Sequence, residues 1–114
     1  MNALANSVRL MGNLGKEPVI KTFSNGGKIA NFSLATQHIG KDKDGNRVEE
    51  TDWHNIVIRG KQAEIAEKYL TKGSQVAIEG RLTSRKYTDA NGTERYITEV
   101  IAHEFQFIGS RKEA

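Results

Sequence analysis

A mainly β domain with one short helix, folded as a five-stranded Greek-key barrel, is the architecture this sequence predicts. Three observations carry that expectation. Apolar and polar residues alternate at a period of two in several separate stretches; one stretch in the middle of the chain switches to helical spacing; and asparagine–glycine pairs punctuate the intervals. At 114 residues there is room for one compact domain, assigned to residues 1–109, with residues 110–114 read as the start of a C-terminal tail.

The elements follow in order. Val8, Leu10, Gly12 and Leu14 alternate with Arg9, Met11 and Asn13, as expected of a strand with one buried face. Pro18 withholds a backbone donor, and Val19 to Phe23 runs into Asn25-Gly26-Gly27, residue types that take positive φ in a tight turn. In the second strand Ala30, Phe32 and Leu34 share one parity and Asn31 and Ser33 the other, which assigns Phe32 to the core. Gly40 to Arg47 is polar and of mixed charge, and is expected to be a mobile loop. A third strand runs from about Val48 to Arg59.

Between Lys61 and Lys72 the spacing becomes helical: Ala63, Ala66 and Leu70, with Ile65 and Tyr69, fall at i, i+3 and i+4, and Gly73 suits the C-terminal end. Val76, Ile78, Gly80 and Leu82 resume strand alternation. Asn91-Gly92 marks a hairpin, and Glu94 to Ile108 supplies a long last strand. Three strands, a helix and an extended hairpin of two strands is the order of the OB-fold, whose second and third strands and loops commonly bind oligonucleotides. A β-sandwich fits less well, because a lone helix after the third strand is unusual there.

Composition narrows the function classes. With no cysteine, disulfides and thiolate metal sites are impossible, which suits the cytoplasm. The N-terminus lacks the apolar run of a signal peptide or membrane span. Net charge is +3, a mild excess that permits nucleic-acid binding without requiring it.

Strand parity locates the candidate chemistry. If Ile56 and Ile58 face the core, then Trp53, Asn55, Val57 and Arg59 face outward, with His54 on the inner side. If Val76, Ile78 and Leu82 face the core, then Arg81, Arg85 and Tyr87 share the outer side. Lys86, Arg95 and Lys72 add nearby cations. Aromatic rings interleaved with cations suit a single-stranded nucleic acid, whose bases stack on rings while Lys and Arg track its phosphates. Taken singly, each of these residues has an ordinary structural explanation; their joint placement favours binding.

Catalytic and metal readings fail. His38, His54 and His103 are dispersed with no carboxylate cluster beside them, so no metal site and no cofactor is expected. Asp52 and His54 share a parity, but no serine or cysteine nucleophile has a motif around it. Gly12-Asn13-Leu14-Gly15-Lys16 is too short for a P-loop and is followed by Glu17 where Ser or Thr is needed. The expectation is a binding protein and not an enzyme.

Several blocks carry a family resemblance: Val8 to Pro18 (VRLMGNLGKEP), Asn25-Gly26-Gly27, Phe32 to Thr36 (FSLAT), Thr51-Asp52-Trp53-His54, Lys72 to Val76 (KGSQV), Ile78 to Leu82 (IEGRL) and Arg85 to Asp89 (RKYTD). In this order, from about Leu4 to Ile108, the chain resembles bacterial single-stranded DNA-binding proteins. The resemblance implies an OB-fold assembled as a homotetramer. It implies binding of single-stranded DNA with little sequence preference during replication, recombination and repair, without a cofactor, in a bacterial, cytoplasmic and nucleoid-associated setting. It further implies that Trp53 and Tyr87 stack on bases, that Lys61, Lys72, Arg85 and Lys86 contact phosphate, and that His54 lies at a subunit interface.

The chain departs from that pattern in places. Gly40 and Arg59 stand where many members carry a stacking tryptophan and a phenylalanine; arginine can stack on a base as well as neutralise phosphate, whereas glycine cannot. Members typically end in a flexible tail with an acidic tip that recruits replication and repair proteins, so those partners are expected only if such a tail exists in the full-length protein. The competing expectations are an OB-fold module that contacts proteins, which the loss of an aromatic at Gly40 favours, and one that binds RNA, because stacking platforms discriminate poorly between RNA and DNA.

Overall fold

The computed structural model describes residues 3–109, so the tail start anticipated at 110–114 lies outside the described residues. A 3₁₀ turn at Ala3–Ala5 leads into β1 (Val8–Leu14), β2 (Val19–Thr22), β3 (Lys28–Lys41), β4 (Arg47–Arg59), α1 (Lys61–Tyr69), β5 (Gln75–Thr88) and β6 (Glu94–Gly109). Hydrogen-bonded neighbours run β1-β5-β6-β4-β3-β2, and an additional β1–β3 pairing closes a barrel of five strands. The short β2 adds to β3 outside that ring, from Val19 opposite Asn31 to Thr22 opposite Lys28. The five-stranded expectation holds for the barrel, and β2 is a sixth strand that parity alone did not separate from the turn after it.

Three hairpins close with the same turn. In Phe23–Gly27, Asp42–Asn46 and Asp89–Thr93 the first residue's N–H donates to the carbonyl of the fifth, and the fourth residue's N–H donates to the carbonyl of the first. The fourth residue is Gly26, Gly45 or Gly92, at φ 88°, 81° and 80°, values that disfavour any side chain. Asp42 and Asp89 each accept two further backbone N–H groups at one carboxylate oxygen. This corrects the expected mobile loop at Gly40–Arg47: the ladder continues through Gly40 opposite Val48 and Lys41 opposite Arg47, and Asp42 organises the reversal between them.

The core follows the predicted parity. Leu14, Ala30, Phe32, Leu34, Ile56, Ile58, Val76, Ile78, Val100 and Ala102 fill the barrel, and Ala63, Ala66 and Leu70 from α1 close one end. The alanines let the helix approach the strands closely. The helix is shorter than its spacing suggested, since Leu70 is already extended and its N–H bonds Ala66 O. Gly73, at φ 88°, belongs to the following turn, where Ser74 N–H donates to Thr71 O and Gly73 N–H to Leu14 O. Ile65 and Tyr69 are exposed.

Leu82 also departs from expectation, at 47% exposed. β1 leaves β5 at Gly80 and β4 leaves β6 at Val100, opposite Leu82, so Leu82 lies past the last β1 partner and the β5–β6 pair runs on from there as a ribbon with no strand beside it; Asn6 caps its base by bonding both the N–H and the carbonyl of Leu82.

Candidate nucleic-acid interface

The outer face of β4 is set by its two neighbours. β3 runs antiparallel with Ser33 opposite Asn55 and Ala35 opposite Trp53, and β6 runs parallel with Ile101 opposite Val57. Trp53, Asn55 and Arg59 are exposed, as parity predicts. Val57 has the same parity yet is buried, because Asn31 of β3 and Ile101 of β6 flank it in register.

Trp53 is 61% exposed, and the edge of its ring abuts Gly15: a Cβ added to Gly15 would stand 2.5 Å from Cζ3 of the indole. The outer rim of the six-membered ring therefore lies against the backbone at Gly15, with Ala35 beside Trp53 in register, and the rest of the indole is exposed. Together with Gln37, Thr51, Lys72 and Gln75 it borders an open hollow of about 710 Å³. Lys72 is held there by its backbone, whose N–H donates to Glu17 Oε1 at 3.2 Å.

The ribbon extends this surface. Arg81, Thr83, Arg85 and Tyr87 of β5 stand opposite Ile101, Glu99, Ile97 and Arg95 of β6, and Ile101 shares the face of Val57, so the outer sides of β4, β6 and β5 are continuous. Tyr87 is 42% exposed. Arg85 Nε donates to Glu99 Oε1 at 2.9 Å, which raises the affinity of Arg85 for its proton, and Arg95 Nε donates to Asp89 Oδ2 at 2.7 Å. Arg59 and Arg81 make no ion pair with a described residue.

The structure thus brings Trp53, Asn55, Arg59, Arg81, Arg85, Tyr87 and Arg95 onto one surface, with Lys72 at its border beside Trp53. Lys86 lies on the opposite face of the ribbon, 3.5 Å from Glu94 and 6.0 Å from the centroid of the Tyr96 ring. Lys61, the first residue of α1, lines a separate hollow with Lys28 and Glu64. His54 is on the inner parity, its Nε2 2.9 Å from Thr36 Oγ1. Two residues escaped the sequence reading: Glu99, a mostly buried carboxylate within this surface, and the exposed Tyr96. Alternation from Glu94 to Glu99 gives their faces, but only the pairing of β6 with β4 and β5 shows that Glu99 is covered.

A larger hollow of about 980 Å³, bordered by Met11, Ile65, Tyr69, Phe105 and Phe107, contains none of the predicted binding residues. Among the described residues no group of His, Cys, Asp or Glu is arranged to hold a metal ion, and no helix is long and apolar enough to cross a membrane.

Comparisons with known proteins agree with this geometry. Residues 5–108 match the single-strand binding protein family. Over 108 residues the chain is 49% identical to a single-stranded DNA-binding protein of Xylella fastidiosa (strain Temecula1 / ATCC 700964), covering 95% of this chain and 66% of that protein. It is likewise 49% identical to one from Xanthomonas axonopodis pv. citri (strain 306), covering 95% of this chain and 60% of the relative. The chain therefore spans 60 to 66% of the length of these relatives. Its fold is similar to a Plasmodium falciparum SSB solved in complex with ssDNA, with TM-score 0.84, 36% identity, and coverage of 90% of this chain and 94% of that one. A deletion mutant of the single-stranded DNA binding protein from Thermus aquaticus gives TM-score 0.81 and 28% identity, covering 93% of this chain and 51% of that one.

Proposed function

This chain belongs to the single-strand binding protein family, and on that premise we propose that it binds and coats single-stranded DNA with little sequence preference, protecting it during replication, recombination and repair. The observation that carries the reading is the exposed indole of Trp53 on a sheet surface continuous with Arg59, Arg81 and Tyr87. Bases have π-faces whatever their identity, so a ring and flanking cations hold a strand without reading it. Trp53, Tyr87, Asn55, Arg59, Lys72, Arg81, Arg85 and Arg95 form the binding surface in this reading, and Lys61 and Lys86 meet a strand that continues past its borders.

The chain acts by binding and not by catalysis, in the bacterial cytoplasm with the nucleoid, and assembles as a homotetramer. The apolar border of the larger hollow supports self-association, because a monomer gains nothing from exposing Met11, Tyr69 and Phe107 together. Titration with deoxythymidine and uridine oligomers tests the binding function through the fluorescence of the one tryptophan. Saturable quenching by deoxythymidine is the expected result. Preference for uridine oligomers would make this an RNA-binding module, and no response to either would sink the nucleic-acid reading.

A further inference from the structure

Two arginines four residues apart on the same face of β5 stand in opposite electrostatic states. Arg81 is exposed and makes no ion pair with a described residue, whereas Arg85 is fixed by Glu99, Nε to Oε1 at 2.9 Å. The Glu99 side chain is 10% exposed and the Arg85 side chain 59%, so the carboxylate is sunk into the surface while the guanidinium rises from it. A grip through Nε engages one edge of the guanidinium plane and leaves at least one terminal nitrogen pointing away from the carboxylate.

We propose that Glu99 is a positioning residue that makes Arg85 a salt-insensitive contact to the strand, supplying a directed hydrogen bond to phosphate while cancelling the charge that would otherwise displace counterions from the strand. The proposal rests on the reading that this surface binds single-stranded DNA. The salt dependence of such binding counts the cations that phosphates neutralise, since each releases condensed counterions, with a slope of about −0.7 per phosphate for single strands. An arginine already neutralised by a carboxylate adds a hydrogen bond without adding to that slope.

The pair survives the arrival of a phosphate because Glu99 has nowhere to go. It sits in the middle of β6, and displacing Arg85 would leave a mostly buried carboxylate without its partner, which is strongly unfavourable. Arg95 repeats the device with Asp89, whose carboxylate also accepts the N–H groups of Asn91 and Thr93. Lys86 does not: its contact with Glu94 is 3.5 Å long with both side chains more than half exposed, so a phosphate replaces that carboxylate readily.

The test measures affinity for a deoxythymidine oligomer across a series of salt concentrations for the wild type, Arg81→Gln, Glu99→Gln and the double variant Arg85→Gln/Glu99→Gln. Arg81→Gln flattens the plot of log affinity against log salt by roughly 0.7. The double variant Arg85→Gln/Glu99→Gln, which removes the guanidinium and its neutralising carboxylate together, weakens binding about tenfold at every salt concentration and leaves the slope unchanged. Glu99→Gln, which keeps an acceptor for Nε but removes the charge, steepens the slope by roughly 0.7 and tightens binding at low salt. The proposal is overturned if the double variant flattens the slope as much as Arg81→Gln does, or if a folded Glu99→Gln leaves it unchanged. Should Glu99→Gln alone fail to fold, the comparison of the double variant with Arg81→Gln decides alone. A wild type that binds no oligomer at any salt concentration overturns the DNA-binding reading itself, an outcome distinct from either slope result.

Discussion

Trp53 shows what one residue's parity can and cannot convey. Its outward direction follows from Ile56 and Ile58 needing the core, and the sequence alone supplies that. The absence of a side chain against its rim does not: Gly15 lies far away in sequence and comes beside the indole only once β1 pairs with β3 at Asn13 and Leu14. Trp53→Ala is expected to weaken binding of single-stranded DNA by about 1–3 kcal/mol, the usual loss of one base–aromatic stack. Stability is expected to change far less than the 3–5 kcal/mol that truncating a core tryptophan costs. Denaturant melts and titrations on the same variant separate the two, and a large stability loss with unchanged affinity per folded molecule would reassign Trp53 to the core. Val57 and Glu99 mark the opposite limit, because their burial is decided by strands that pair with their own and no period along the chain reports it. Lys86 was separable: its parity alone opposes it to Arg85, and grouping the two rested first on its nearness at the hairpin base.

At the scale of elements, the turns were legible where asparagine precedes glycine and misread at Asp42–Asn46, where Asp44 precedes Gly45. Asp42 sits in a charged stretch that looks unable to order itself, yet its carboxylate ties down the N–H groups of Asp44 and Asn46 much as Asp89 ties those of Asn91 and Thr93. Asp89 carries an additional bond from Arg95, and that bond first, then the backbone N–H groups of Thr93 and Asn91, hold its carboxyl below the ordinary value of 3.8. A depressed carboxylate pKa contributes stability that is fully present above the unfolded value and is lost as pH falls through the lower folded one. The tip of the β5–β6 ribbon is therefore expected to keep its geometry on acidification to about pH 4 and to loosen only below it. Amide chemical shifts of Asn91 and Thr93 followed by NMR check this, and a transition centred at or above 3.8 would contradict it. The helix was readable as a helix but not in length, since Leu70 continues the apolar spacing after the backbone has turned extended.

For the molecule as a whole, the barrel was predictable from the order of its elements, while the free-standing part of the β5–β6 ribbon was not. Alternation continues through Leu82 as if the core did, but β1 has already left β5 at Gly80, and Leu82 is exposed. The proposed assembly belongs to this scale too. Sedimentation is expected to show a mass about four times that of the 12.7 kDa chain at micromolar concentration, and a purely monomeric species would remove the tetramer from the reading.

The pairing of β4 with β6 has its own consequence for how the chain finds this shape. The tips of the hairpins join residues only six positions apart, as with Lys41 and Arg47 or Thr88 and Glu94, whereas Ile56 meets Val100 across 44 positions. By loop-closure entropy alone that single parallel contact costs roughly 2 kcal/mol more to form than a hairpin end. Once both hairpins and α1 have formed, the disordered span between Ile56 and Val100 has shrunk to a few short connections, and most of that cost has already been met by local steps. The three aspartate- and phenylalanine-led turns thus order the search: each begins a ribbon from its own end, and the barrel closes by joining ribbons and not by gathering a free chain.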